Sequence, residues 1–114
     1  MPDAFLAEFE MYVMLAVARL GDDAYGLAIR KCIETRTDRQ VSVGALYTTL
    51  ARLEGKGFLQ VSDPEAATGK RGRPRKYCSL TAEGRVVMQH SLAMLGRMAE
   101  GAVMEAAFDG PRDG

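Results

Sequence analysis

The sequence predicts a mainly α-helical domain carrying one small β-hairpin, in the order helix, helix, helix, hairpin, helix. Three observations predict it. Apolar residues recur at helical spacing in four separate stretches. Between the third and fourth, two short runs of strand-like texture flank a connection punctuated by Pro and Gly. That connection also concentrates the positive charge, with five of the chain's 15 Lys and Arg between Lys70 and Lys76.

The first periodic segment runs from about Pro2 to Leu20, with Phe5, Phe9, Tyr12, Val13, Ala16, Val17 and Leu20 at helical spacing and Gly21 as its stop. Met11, Met14 and Leu15 make its second half apolar nearly all round, the mark of a helix buried on two sides. In so small a domain the second side is expected to face another subunit. Asp22 or Asp23 is expected to cap a second helix, whose stripe is Tyr25, Ala28, Ile29, Cys32 and Ile33. The polar stretch Thr35 to Gln40 ends it. Ser42 then caps a third helix, with Val43, Leu46, Leu50 and Leu53 expected on its inner face and Gly55 and Gly57 at its end.

Phe58 to Ser62 and Arg75 to Leu80 read as two strands of a hairpin. Thr81 caps a last helix expected to reach about Phe108, and 109–114 is expected to fray. The second and third helices are joined by a short polar turn, and a hairpin follows directly. That order defines a winged helix-turn-helix over 1–80, with 81–108 as a long C-terminal dimerisation helix.

The last helix carries Met88, Leu92, Leu95, Ala99, Ala102 and Ala106 in alternating steps of four and three, a seam like that of a coiled coil, widened by Val87, Met94, Met98 and Val103. At ~1.5 Å rise per residue such a helix is about 40 Å long, too long for one three-helix core to cover. With Met11 and Leu15 on the first helix, Met88, Leu92, Leu95, Met98, Ala99 and Ala102 are the expected dimer contacts. A chain of 114 residues buries only about 60–70% of its unfolded surface alone, so pairing would help it.

Net charge is zero, which by itself argues against a nucleic-acid partner. The distribution argues the other way. Residues 1–40 and 81–114 each carry two more acids than bases, whereas 41–80 carries seven bases against three acids. A phosphate backbone needs local positive potential only.

Two segments fit double-stranded DNA. The outer face of the third helix is expected to show Gly44, Ala45, Thr48, Thr49 and Arg52, with no acid before Glu54, and the Ser42 cap is an expected DNA contact beside it. Such a small, polar face suits a major groove ~12 Å wide, hydroxyls and one cation reaching the base edges. The hairpin tip supplies Lys70, Arg71, Gly72, Arg73, Arg75 and Lys76. Glycine lets the backbone approach a groove wall, and arginine enters a narrow minor groove or clamps phosphates.

Enzymatic readings find no site. His90 is the only histidine and stands in the last helix, and no clustered Cys, His or carboxylates suggest a metal. No phosphate loop appears: Gly69-Lys70-Arg71-Gly72 has neither the spacing nor a following helix. No cofactor is expected. The longest apolar run, Met11 to Ala18, is far short of the ~20 residues of a bilayer span, and the N-terminus lacks a basic signal region. A soluble cytoplasmic protein is expected, with Cys32 and Cys78 as reduced thiols.

Over about residues 5 to 105 the chain resembles the PadR family of transcriptional regulators. The resemblance rests on Asp23-Ala-Tyr-Gly, on Ser42-Val-Gly-Ala-Leu-Tyr-Thr-Thr-Leu-Ala-Arg-Leu-Glu, on Gly57-Phe-Leu, and on Gly72-Arg-Pro-Arg-Lys-Tyr followed by Leu80-Thr-Ala-Glu-Gly. It implies a homodimer with paired winged helices on a palindromic operator, the last helix packing against the partner's first. It implies that Tyr47 sits at the DNA-facing edge of the third helix and that Tyr25 and Gly26 lie near the DNA backbone. The short C-terminal region is similar to the family's compact branch. Some members respond to small molecules held between subunits; here an effector pocket at the dimer interface would be lined by Met11, Met14, Met94 and Met98, although their spacing favours core packing over such a pocket. A regulator, most simply a repressor, is the leading reading. The alternative is a winged helix used for protein or RNA contact.

Overall fold

The computed structural model describes residues 5–62 and 75–102. Helix α1 spans Glu8–Leu20, a later start than the expected Pro2. Two contacts fix that start. The Ala7 amide donates to Glu10 Oε1 at 2.9 Å, and the Leu6 amide donates to Ser91 Oγ at 3.2 Å, holding the entering chain extended. Acids in the first turn also favour the positive end of the helix dipole. Gly21, in the left-handed region at φ 59°, ends the helix.

Asp22 and Asp23 do not cap the next helix as expected; with Gly21 they form a 3-10 turn. Helix α2 spans Gly26–Thr37, with Tyr25 at its cap and no side-chain cap bond. The displacement has a cause. Ala24 and Tyr25 leave the turn to pair with the hairpin: the Cys78 amide donates to the Ala24 carbonyl at 2.7 Å, and Tyr25 bridges Tyr77. Asp38, left-handed at φ 60°, ends α2. The turn that follows is pinned from α2, where Arg30 Nε donates to the Val41 carbonyl and Glu34 Oε2 accepts from the Val41 amide, both at 2.8 Å.

Helix α3 spans Val43–Gly55, capped as expected by Ser42, whose Oγ accepts from the Ala45 amide at 3.0 Å. Strands β1 (Leu59–Val61) and β2 (Cys78–Leu80) pair antiparallel with Leu59 opposite Leu80 and Val61 opposite Cys78. Leu59 and Cys78 turn inward. The hairpin is the expected one with shorter strands. Helix α4 spans Ala82–Ala99. Thr81 joins it to the hairpin, its hydroxyl donating to the Gly57 carbonyl at 2.6 Å and accepting from the Gly84 amide at 2.9 Å. Gly84 lies so close to the Phe58 carbonyl that a Cβ there would overlap the backbone. The single helix expected to about Phe108 is broken after Ala99: Glu100 turns extended and Gly101 is left-handed at φ 82°.

Helix α1 is the hub, packing on α2, α3, β2 and α4. Val13, Met14, Ile29, Leu46, Leu53 and Val87 are fully buried, each contributing roughly 1.5–3 kcal/mol by leaving water. Met14 belongs wholly to this core, while Met11, also buried, reaches from it to the floor of the groove between α1 and α4. Glu10 is buried too, and satisfied: its carboxylate accepts from the Ala7 amide and meets Lys56 Nζ at 3.2 Å, tying the start of α1 to the end of α3. Among the described residues no helix is long and apolar enough to cross a membrane.

Candidate nucleic-acid interface

At 3.6 residues per turn Leu46, Thr49, Leu50 and Leu53 fall on one stripe, and that stripe is buried. Thr49, expected on the outer face, is therefore only 5% exposed and completes the apolar row. Val43 is displaced in the opposite sense. It was expected inside, yet it stands in the first turn beyond the edge of the core and is 51% exposed. Ser42, Gly44, Ala45, Tyr47, Thr48, Ala51 and Arg52 are exposed, so the outer face is small and polar as the spacing required.

Tyr47 is the link between α3 and the rest of this surface. Its hydroxyl end crosses Gly26, where an added Cβ would overlap it; glycine at the first position of α2 is what admits the ring. Beside Gly26, the Tyr25 ring meets Tyr77 edge-on, centroids 5.6 Å apart at 65°. The Arg75 guanidinium lies 4.2 Å from the Tyr25 centroid, on the scale of a cation–π contact. Tyr47, Gly26, Tyr25, Tyr77 and Arg75 thus make one continuous run from α3, across the start of α2, to the base of the hairpin. Lys76 is exposed beside them. Lys70, Arg71, Gly72 and Arg73 lie outside the described residues.

Tyr77 was not among the expected DNA contacts, and Val43 was expected on the inner face. Tyr77 carried a signal, an aromatic in a β-prone run; Val43 carried none, since its spacing fits the apolar stripe and only the edge of the core decides its exposure.

Among the described residues no metal centre accompanies the surface. Burial first, and the nearby Glu54 charge second, push the Cys78 thiol up to about 11, so it stays protonated and inert. Cys78 and the half-buried Cys32 are both free thiols. Among the described residues no group of three or more His, Cys, Asp or Glu could hold a metal ion. His90 packs beside Phe5, ring centroids 5.2 Å apart.

A second surface lies between α1 and α4, an apolar groove of about 640 Å³ whose lining includes Leu15, Leu92, Met94, Leu95 and Met98. Leu95 is 57% and Met98 79% exposed. Met88, expected at the interface from the seam, is buried within the protomer, because α4 also closes the core through Val87 and Met88; Met11, expected there from the first helix, is buried yet lines the groove. Ala99 is half-buried and Ala102 exposed. Met14, fully buried, is removed from any effector lining, whereas Met11, Met94 and Met98 line the groove.

Comparison with known proteins agrees with this architecture. Residues 14–90 match the transcriptional regulator PadR-like family. An uncharacterized 37.1 kDa protein in transposon TN4556 of Streptomyces fradiae is 37% identical over 95 residues. The match takes in 79% of this chain but 26% of that protein, so the chain spans about a quarter of its length. Among solved structures, a PadR-like transcription factor from Bacteroides fragilis superposes with a TM-score of 0.67 at 26% identity, covering 86% of this chain and 89% of the other. A PadR family transcriptional regulator from Eggerthella lenta gives a TM-score of 0.62 at 27% identity over 85% and 84% of the two chains. The chain belongs to the PadR-like family, whose members are winged-helix transcription regulators and not enzymes.

Proposed function

We propose that the chain binds duplex DNA sequence-specifically, as a homodimer on a palindromic operator, and represses transcription by occupying it. One observation carries the reading: the Tyr47–Gly26–Tyr25–Arg75 run makes the outer face of α3 and the base of the hairpin a single surface. A helix in the major groove with its hairpin on the flanking backbone needs the two held in fixed relation. Arg75, stacked on Tyr25, carries a cation on a braced side chain, and Thr48 and Arg52 provide polar groups for base edges.

The α1–α4 groove takes the second copy. Covering Leu92, Leu95 and Met98 would relate two recognition helices by one two-fold axis, with half-sites about one helical turn or a multiple apart. An effector in that groove, against Met94 and Met98, would act by changing the spacing of the two hairpins.

Selection from random duplex DNA tests the reading. A palindromic consensus is expected, with affinity falling steeply as salt rises. Arg75→Ala should flatten the salt slope by about one unit, and Arg52→Ala should relax preference at one position per half-site, at about 1–3 kcal/mol per base contact. Absence of any consensus, with salt-insensitive binding, would overturn it.

A further inference from the structure

The exposed Val43 is unexplained by packing and is not one of the residues on which DNA reading was expected to rest. It stands at the first position of α3, directly after the Ser42 cap, with Gly44 and Ala45 beside it. No heavy atom lies within 4 Å of where a Gly44 Cβ would be, so this end of the helix is open. The N-terminal residues of a recognition helix are the ones that meet base edges. In this turn they are Val43, Gly44 and Ala45, and none carries an amide, a carboxylate or a guanidinium. The Ser42 hydroxyl is held at the cap, accepting from the Ala45 amide at 3.0 Å. A half-exposed isopropyl group at this position would be desolvated without return against the polar edge of guanine, cytosine or adenine. One base presents an apolar group in the major groove: thymine, through its 5-methyl.

We propose that Val43 is a specificity-determining residue that reads a thymine methyl in each half-site. The inference rests on the assignment of α3 as the recognition helix. It adds that the N-terminal end of that helix selects by apolar contact, while hydrogen-bonding selection falls to Thr48 and Arg52 further along. The DNA it favours carries thymine where Val43 meets the groove.

The test uses the full chain and its selected duplex. Each thymine of a half-site is replaced in turn by deoxyuridine, which removes the 5-methyl and leaves the pairing edge unchanged. Loss of one buried methyl is worth about fourfold in affinity, so removing it from both half-sites should cost about fifteenfold at one position. Val43→Ala, at an exposed site, should fold normally and bind the thymine and deoxyuridine duplexes within about twofold of each other at that position. A selected half-site whose thymines all tolerate deoxyuridine would overturn the inference alone. So would a methyl effect that persists in Val43→Ala. Failure to select any sequence would remove the recognition helix itself, and the inference with it.

Discussion

Gly26→Ala isolates the contact that joins α3 to the start of α2. The three atoms nearest an added Cβ all belong to Tyr47: the hydroxyl, Cζ and Cε1. The ring must therefore move. Tyr47 is 52% exposed, so rotation into solvent is open to it and α2 need not shift. An aromatic side chain buries 150–250 Å² when fully covered; losing the covered half, at ~25 cal/mol per Å², costs roughly 2 kcal/mol. Alanine in place of glycine in a helix returns up to ~1 kcal/mol. The net loss is about 1 kcal/mol, a fall in Tm of about 4 °C. Affinity for the selected duplex should fall further than stability does, because Tyr47 and the α2 backbone both lie on the proposed surface. Denaturant unfolding gives the first quantity and equilibrium titration the second. A double-mutant cycle decides the cause: in a Tyr47→Ala background, Gly26→Ala should be neutral or stabilising. If it costs the same in both backgrounds, the glycine is not there for Tyr47 and the reasoning fails.

Gly84→Ala presses against backbone, the Phe58 carbonyl, which cannot rotate away; a loss of about 2–3 kcal/mol is expected in unfolding experiments, larger than for Gly26→Ala. Leu95→Glu places a charge on the α1–α4 groove, and sedimentation should show monomer with the protomer still folded, since Leu95 is outside the core. Cys78, raised to about 11, is about one part in a thousand thiolate at pH 8, so alkylation of the folded protein should label Cys32 and reach Cys78 only on unfolding or well above pH 10. Arg39→Ala should let the Glu8 carboxyl, held below its ordinary range by its bonds from Tyr12 and Arg39, rise part of the way back in an NMR titration. Any stability from that pair is present above the ordinary carboxylate range and is lost as pH falls through the lowered value.

Element order, the cap at Ser42, the hairpin and the free α1–α4 face were all legible because each depends on local periodicity or a local stop. Long-range contacts decided most of the errors, the outward assignment of Thr49 excepted. Asp22 and Asp23 have cap chemistry, but pairing of Ala24 and Tyr25 with Tyr77 and Cys78 moves the start of α2 beyond them. Thr49 is polar and was assigned outward, yet the 3.6-residue stripe carries it inward. Val43 fits the stripe and is left outside because the core ends before it. Met88 satisfies both a seam and a core, and only the packing of α4 on α1 chooses between them. Glu10 gave no sign that its carboxylate would be buried against Lys56, 46 residues later in the chain.

The central claim is that one surface, the outer face of α3 with the base of the hairpin, meets DNA. Backbone amide chemical shifts of the full chain, followed by NMR as the selected duplex is added, test it residue by residue. The predicted result is that the largest changes fall on 42–48, on Tyr25 and Gly26, and on 75–77, while the α1–α4 groove stays at its DNA-free values. Changes concentrated on α1 and α4, with α3 and the hairpin base unmoved, would contradict it.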